Sequence, residues 1–309
     1  MRSIQLLLLL YACVINAKSF VLDPKNIVMR NYMPFNRERR VSSYPRITGD
    51  TFRAFCDHII DETQIPFDPE RVKKGDTIFV NGNLLESFFE IVYPHILVPF
   101  VLVSHNSTRM VPDALGRYLD DEKIIAWFTR NPDRTDHPKL RGLPLGIGNA
   151  YFPFGDRTIV DRVSVQLPRS KKHTLYLGFN PRTCGNVRWH VYYLFKNARF
   201  CYTPARRVSY EQYLTDVSES RFVLSPRGYG LDCYRHWESL MMGSIPIIQS
   251  STLDPLFEDL PVLIINDWND ITADFLEEQY KQMQCRSYNL EKLHADYWFD
   301  QIRMASSVT

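Results

Sequence analysis

Charged residues and glycines that could bind a phosphate group are concentrated in residues 222–243. An apolar strand pattern leads into a loop with Arg227 and Gly228, and a helical pattern with Arg235 and Glu238 follows. Guanidinium groups can neutralise phosphate oxygens with paired hydrogen bonds, and a carboxylate can accept hydrogen bonds from ribose hydroxyls. The segment therefore predicts a nucleotide diphosphate site. An Arg235–Glu238 ion pair on a solvated helix is the purely structural alternative.

The same segment carries signals for the start, the end and the packing of its helix. Asp232 is a residue type that caps helix starts, and Gly243 is one that follows helix ends. Tyr234 and Trp237 lie three positions apart and belong to an apolar stripe that would pack on a sheet. The start of this helix would direct N–H groups and positive potential at an anion.

Strand and helix patterns alternate from residue 76 onward, and these elements must position the site. Strands are predicted at 77–80, 100–103, 124–128, 175–177, 222–225, 245–248 and 262–265, with helices at 84–92, 187–195, 210–217 and 232–242. Short apolar strands separated by helices indicate an α/β fold with parallel sheets that are covered on both faces.

A polar, basic stretch at 168–173 divides this alternation into two halves. We therefore expect an N-terminal Rossmann-like domain over 18–168 and a C-terminal one over 169–309. A ligand would lie in the cleft between the two domains, at the carboxyl ends of the strands.

Four short motifs follow one another in the C-terminal half. They are Ser-Pro-Arg-Gly at 225–228, Leu-Asp-Cys-Tyr-Arg at 231–235, Trp-Glu-Ser-Leu at 237–240 and Gly-Ser-Ile-Pro-Ile-Ile at 243–248. In this order they resemble the donor-binding segment of exostosin-like glycosyltransferases of the GT47 type. Looser similarities extend the resemblance over residues 75–298.

The resemblance implies a GT-B-like fold, with two facing Rossmann-like domains and mainly parallel sheets. It implies transfer of a sugar from a nucleotide-sugar donor, with inversion at the anomeric carbon, to a glycan or glycoprotein acceptor. Carried over by position, Arg227, Gly228, Arg235 and Glu238 would hold the diphosphate and ribose of the donor. A UDP-linked donor bound by the C-terminal domain is expected, with the acceptor bound by the N-terminal domain.

Sugar transfer requires that the charge of the leaving group be neutralised, that the acceptor hydroxyl be deprotonated and that the two sugars be aligned. The arginines and the helix start could supply the first of these without a metal. The sequence contains no Asp-x-Asp pair of the kind that holds Mn²⁺ or Mg²⁺ in other glycosyltransferases. No metal and no further cofactor are therefore expected.

The general base should come from the N-terminal half, which faces the donor. His105, at the end of the strand predicted at 100–103, is one candidate, and Asp113 and Glu86 are the alternatives. A single histidine at a strand end more often makes structural hydrogen bonds than it accepts a substrate proton. The identity of the base therefore stays open among the three residues.

Composition and charge exclude several classes of protein. The chain has 309 residues, and its 37 Lys and Arg against 35 Asp and Glu leave a net charge of +2. This near-balance gives no support to general binding of nucleic acid or of acidic membranes. The 19 prolines and the 13% of aromatic residues argue against a low-complexity or disordered chain.

The N-terminus predicts entry into the secretory pathway. Met1-Arg2 precedes an apolar run over 6–15, and Asn-Ala-Lys-Ser follows it. The run is shorter than the roughly 20 residues that span a bilayer, so residues 1–17 read as a signal peptide, with a short membrane anchor as the alternative. Both interpretations place the remaining chain in the Golgi or ER lumen or outside the cell.

Cysteines and a glycosylation sequon fit that compartment. Six cysteines are present, and Cys13 lies in the N-terminal segment. The other five cannot all pair with one another, and Cys184 with Cys201 is one plausible disulfide. Asn106 begins the sequon Asn-Ser-Thr, so a glycan could be attached there.

Other functional classes find less support. His236-Trp-Glu238 resembles the His-x-Glu of zinc deaminases, but no Pro-Cys-x-x-Cys follows it. No hydrolase elbow or P-loop is present, and Cys233 with His236 is a weak candidate for a thiol nucleophile. The main alternative is a catalytically inactive luminal protein on the same fold that binds carbohydrate or nucleotide. Such a protein would keep Arg235 and Glu238 but lack a working base.

Overall fold

The computed structural model describes residues 39–307, together with the backbone of residues 20–21 and 28–29. The predicted signal peptide or anchor over 1–17 lies outside the described residues. None of the helices in the described part of the chain has the length and apolar character that crossing a membrane requires.

Two five-stranded parallel sheets and their covering helices make up most of the described chain. The strands are β1 Phe20–Val21, β2 Val28–Met29, β3 His58–Ile60, β4 Thr77–Asn81, β5 Phe100–His105, β6 Ile124–Thr129, β7 Leu140–Gly142, β8 His173–Tyr176, β9 Cys201–Tyr202, β10 Ser220–Leu224, β11 Ile245–Gln249 and β12 Leu263–Ile265. The α-helices are α1 Gly49–Phe55, α2 Leu85–Ser87, α3 Arg157–Ser164, α4 Gly185–Phe195, α5 Tyr210–Ser218, α6 Tyr234–Met241, α7 Ala273–Gln284 and α8 Ala295–Ser307. The short strands β1 and β2 form a separate antiparallel pair.

The first sheet has the strand order β3-β4-β5-β6-β7, with every pair parallel. Because right-handed crossovers between successive strands all return on the same side, the connecting segments cover one face of this sheet. Alternate residues of β5 face opposite ways, so Phe100 and Leu102 pack with the connections. Val101 and Val103 belong to the other apolar cluster, which includes residues of α1 and α8.

The second sheet has the order β12-β11-β10-β8-β9 and is also fully parallel. Read from the β9 edge, its strands follow the order 2-1-3-4-5. Strand β9 is thus added on one side of β8 and β10 on the other, so the winding of the sheet reverses between β8 and β10. Ligands of open α/β sheets bind outside the carboxyl ends of the strands at such a switch point. The first sheet has no reversal, and this difference locates the candidate site in the second half.

Two helices cross between the halves. Helix α3 packs against α5 and α6 of the second half, while α8 packs against α1, β5 and β6 of the first half. The division predicted at 168/169 therefore runs between each of these helices and the elements on which it packs. An amphipathic pattern predicts that a helix has an apolar face, but it does not identify the sheet that the face covers.

The predicted α/β class with two mainly parallel sheets is confirmed. One predicted helix differs in type. Residues 84–92 form the end of a 3₁₀ turn, the short helix α2 and a π-helical turn over Phe88–Val92. Pro94 follows, and its ring would clash with the carbonyl group of residue 90 in a regular α-helix. The π-helical turn is followed directly by a 3₁₀ turn over Tyr93–His95, which contains Pro94.

Candidate functional site

The candidate site lies at the carboxyl ends of β8 and β10, where the second sheet has its switch point. The loop after β8 contains Phe179 and Asn180, and the loop after β10 runs over 225–232 and leads into α6. Cys233 is the N-cap residue of α6, so the helix begins at Tyr234, two residues after the predicted start, and the cap is not Asp232. Arg235 stands in the first turn of α6.

Arg235 presents an unpaired guanidinium group at this site. Its Nε and Nη1 atoms are buried and have no hydrogen-bond partner among the described residues. The guanidinium carbon lies 5.5 Å from the ring centroid of Phe179, which is cation–π range. Because burying an uncompensated charge is costly, these two donors are suited to an anionic ligand that would pair with them.

Arg188 of α4 brings a second guanidinium group to the same ring, and the sequence did not single it out. Its carbon lies 5.7 Å from the Phe179 centroid. Burial, and then the positive charge of Arg235, lower the pKa of Arg188. In the described part of the chain neither arginine forms an ion pair with a carboxylate. Two cations on one aromatic ring suit a ligand that carries two negative charges.

Glu238 is placed differently from the sequence prediction. It is buried, and its Oε1 and Oε2 accept hydrogen bonds from the hydroxyls of Tyr210 at 3.0 Å and Tyr213 at 2.8 Å. Burial raises the pKa of Glu238, against the opposing effects of the two tyrosines and of Arg235. The predicted alternative, an Arg235–Glu238 ion pair on a solvated helix, is wrong, because Glu238 is bound to α5 in the interior. Its role in ribose binding stays a prediction.

The two glycines of the loop after β10 lie close to arginine side chains of neighbouring elements, with little room for a Cβ atom. Gly228 is buried, and a Cβ atom there would lie 3.2 Å from Nη2 of Arg188. A Cβ atom at Gly230 would lie 3.0 Å from Nη2 of Arg130 in the first half. Arg227 is exposed and is available to a ligand in solution. The loop is therefore packed tightly between α4 and the first half.

Asp232 joins the two halves of the molecule. Its Oδ2 accepts a hydrogen bond from the backbone N–H of Leu145 at 2.7 Å and another from Nε1 of Trp237 at 2.8 Å. Its Oδ1 accepts from the backbone N–H of Cys233 at 2.8 Å and lies 2.9 Å from Nδ1 of His236. This buried carboxylate holds the start of α6 against the first half, a role that its position in the sequence does not reveal.

His105 is buried, and both ring nitrogens have partners. Nδ1 accepts a hydrogen bond from the backbone N–H of Asn106 at 2.8 Å, and Nε2 lies 3.2 Å from the carbonyl oxygen of Pro144. Burial, and then the charge of Arg130, lower the pKa of His105 to about 4. A general base needs a lone pair that faces the acceptor. The geometry gives no support to His105 as the base.

The two alternative bases lie together on the surface. Glu86 contacts Nη2 of Arg109 at 2.8 Å, and Asp113 approaches the same nitrogen at 3.7 Å. The side chains of Glu86 and Asp113 are 59% and 65% exposed, so both carboxylates are accessible to an acceptor. Glu86 lies in α2 after β4, and Asp113 begins a 3₁₀ helix after β5, so both stand beyond the carboxyl edge of the first sheet.

A buried polar network lies at the same edge, and the sequence did not predict it. Asp50 accepts hydrogen bonds from Arg40 at 2.8 Å and from Nδ2 of Asn106 at 3.1 Å, while Asn149 donates to Asn106 at 3.0 Å. Burial raises the pKa of Asp50. Because Nδ2 of the sequon residue Asn106 is engaged inside the protein, a glycan at that nitrogen would break this network.

Tyr234 of α6 lies between the two halves. Its ring centroid is 5.4 Å from that of Phe154 in the first half. Burial raises its pKa to about 12; the charge of Arg130 opposes this rise, and Glu238 and Asp50 add to it.

The predicted disulfide between Cys184 and Cys201 is not formed. All five cysteines in residues 39–307 are unpaired. Cys184 is the N-cap residue of α4, in the left-handed region, and Cys201 lies in β9 at the edge of the second sheet. Proximity in sequence did not bring the two thiols together.

Comparison with known proteins finds a family match in the second half. Residues 193–307 match a family model described as the RXYLT1 C-terminal domain, in agreement with the exostosin-like resemblance noted in the sequence. No curated protein is significantly similar to the chain. Among solved structures, the catalytic domain of starch synthase IV from Arabidopsis thaliana, bound to ADP and acarbose, is 11% identical. That match covers 76% of this chain and 73% of that one, with a TM-score of 0.35.

Proposed function

We propose, from the premise that residues 193–307 form an exostosin-like glycosyltransferase domain, that the protein is an inverting glycosyltransferase. It transfers a sugar from a nucleotide-sugar donor to a glycan or glycoprotein acceptor. The observation that carries this proposal is the buried, unpaired guanidinium group of Arg235 beside Arg188 at the switch point of the second sheet.

The charges of the site support a nucleoside diphosphate as leaving group. Arg188 and Arg235 share the ring of Phe179 and have no carboxylate ion-pair partner among the described residues. As the bond to the sugar breaks, negative charge grows on the diphosphate, and fixed cations stabilise that charge. We propose a UDP-linked donor and a reaction that needs no metal.

The acceptor would be activated from the first half. Of the three proposed bases, Glu86 and Asp113 are exposed, whereas His105 is buried with both nitrogens engaged. We propose that one of these two carboxylates removes the proton of the acceptor hydroxyl as that oxygen attacks the anomeric carbon. Attack from the face opposite the leaving diphosphate inverts the configuration at that carbon.

The cellular setting follows from the N-terminal sequence. Residues 1–17 have the pattern of a signal peptide or a short anchor. We propose that the enzyme acts in the Golgi or ER lumen, where glycan and glycoprotein acceptors are processed.

Donor binding and turnover on a panel of nucleotide sugars test the proposal. Arg235→Ala should weaken binding of the donor that the wild-type protein uses by about ten-fold or more, because a charge-assisted contact is lost. Arg286→Ala removes an equal charge from an exposed position and is the matched control. Product anomeric configuration by NMR, and rates with and without EDTA, test inversion and metal independence.

Two outcomes would count against the proposal. Unchanged donor affinity in Arg235→Ala would mean that this guanidinium group does not bind the donor. Tight binding of a nucleotide sugar without hydrolysis or transfer to any acceptor would instead favour the alternative function, a catalytically inactive luminal binding protein. The buried state of His105 is the observation that keeps this alternative in view.

A further inference from the structure

We propose that Arg188 is a positioning residue that turns two backbone N–H groups, those of Arg227 and Gly228, toward the phosphates of the donor. This inference rests on the proposed function, since it concerns how the same site would bind a nucleoside diphosphate. It assigns a role to a residue that belongs to none of the motifs in the sequence.

The guanidinium group of Arg188 binds the loops on both sides of the switch point. Nε donates to the carbonyl oxygen of Arg227 at 2.9 Å, and Nη2 to that of Pro226 at 3.3 Å. Nη1 donates to the carbonyl oxygen of Asn180, in the loop after β8, at 3.3 Å. One planar group therefore holds three carbonyl groups from two loops, and Arg188 itself is 6% exposed.

The geometry of the peptide bond transmits this contact to the opposite side of the loop. In a planar trans peptide the N–H of one residue points away from the carbonyl of the residue before it. The bonds joining Pro226 to Arg227 and Arg227 to Gly228 are both trans. Because Arg188 draws the carbonyls of 226 and 227 toward α4, the N–H groups of Arg227 and Gly228 point away from α4.

These N–H groups are available to a ligand. Within residues 39–307, neither the N–H of Arg227 nor that of Gly228 donates a hydrogen bond. Successive N–H groups of a loop form an anion-binding concavity when they point to one side. The absence of a side chain at Gly228 lets the guanidinium group of Arg188 pack closely against the loop, since a Cβ atom there would meet Arg188. Arg235 supplies buried, unpaired donors from the following helix.

Only an arginine meets these requirements at position 188. Its planar fork presents donors in several fixed directions, whereas a lysine ammonium is a point charge on a flexible stem. A lysine would keep the positive charge near Phe179 but could not bind the carbonyls of 226, 227 and 180 together. Arg188→Lys therefore separates the positioning role from the charge.

The experiment compares the wild-type full chain with Arg188→Lys and with Arg199→Lys, a matched control at an exposed arginine. UDP and GDP are titrated by calorimetry, and backbone amide shifts are followed by NMR. In the wild-type protein the amide protons of Arg227 and Gly228 should move downfield on saturation with the nucleotide that binds. Arg188→Lys should lose those shifts and weaken nucleotide binding by about ten-fold or more, while Arg199→Lys behaves as wild type.

The outcomes separate this inference from the proposed function. Binding of UDP or GDP to the wild-type protein without downfield shifts at Arg227 and Gly228 would overturn the inference alone, and this measurement needs no variant. Folded Arg188→Lys with wild-type affinity and wild-type shifts would overturn it as well. If the wild-type protein bound neither nucleotide, the proposed function would fail, and the inference would fail with it.

Discussion

Arg235 and Glu238 stand three positions apart on one helix, yet the structure gives them opposite environments. Arg235 keeps buried donors without partners at the switch point, while both oxygens of Glu238 are occupied by tyrosine hydroxyls from α5. Their residue types alone are equally compatible with ligand binding. The packing of α5 against α6 pairs the carboxylate of Glu238 with two tyrosines and leaves the Nε and Nη1 donors of Arg235 without partners.

The burial of His105 predicts a pH dependence of stability. Its pKa is lowered to about 4, against roughly 6.5 in an unfolded chain, so between these values the unfolded state binds a proton that the folded state does not. The free energy of unfolding should therefore fall as the pH is lowered from 6.5 to 4, by up to roughly 3 kcal/mol from this group. Urea unfolding of the wild-type protein and of His105→Asn across this range measures the difference.

His95→Asn is the control for this experiment, because His95 is an exposed histidine of the same half. The pH profile of His105→Asn should be flatter than that of the wild-type protein, while His95→Asn should keep the wild-type slope. Equal slopes in all three proteins would show that His105 does not titrate as a buried group.

At the scale of elements, α6 shows which boundaries the sequence predicts. It ends at Met241, and Gly243 follows with a φ of +64°, as the predicted helix stop requires. Its start depends on tertiary contacts, since Asp232 lies before the cap and binds Leu145 of the first half. The end of a helix is set by local backbone conformation, whereas the start of α6 also depends on a partner distant in sequence.

Gly243 provides a test of this local effect. Gly243→Ala places a Cβ atom in the left-handed region and should destabilise the protein by about 1 kcal/mol, measured by chemical unfolding. Gly116→Ala is the matched control, because Gly116 has no positive φ and its added Cβ would meet only the end of Arg134, at 3.4 Å. A cost at Gly243 no larger than that at Gly116 would contradict the assigned role of the glycine.

At the scale of the whole molecule, the crossing helices make the two halves interdependent. Helix α3 packs on the second half and α8 on the first, and one apolar cluster contains residues of both. Asp232 adds a buried hydrogen bond between the halves. Each half has one apolar cluster of its own, and the two halves share a third.

We expect a single cooperative unfolding transition for the full chain. Because each half contributes a helix to the other, loss of one core removes contacts from the other. Differential scanning calorimetry should give a calorimetric enthalpy equal to the van't Hoff enthalpy, and a chain that ends at residue 294, without α8, should lose the native transition. Two separate transitions of the full chain, or a truncated chain with wild-type stability, would show that the halves fold independently.

Much of the fold and part of the site could be predicted from sequence. The strands near 100–103 and 222–225 follow from short apolar runs, and Arg235 stands in a local motif after a glycine loop. Such signals act over a few residues, because they depend on hydrophobic spacing and on backbone conformation. The resemblance to glycosyltransferases rests on the same local segment.

Tertiary structure alone decided which distant residues meet at the site. Arg188 lies 39 positions from Arg227, and Asp232 lies 87 positions from Leu145, yet each pair is joined by a hydrogen bond. No periodicity or motif connects such positions, since their contact depends on the order of strands in the second sheet and on the packing of one half against the other. The sequence by itself therefore determined the kinds of elements and a candidate anion site, and the assembled chain decided which charges remain unpaired there.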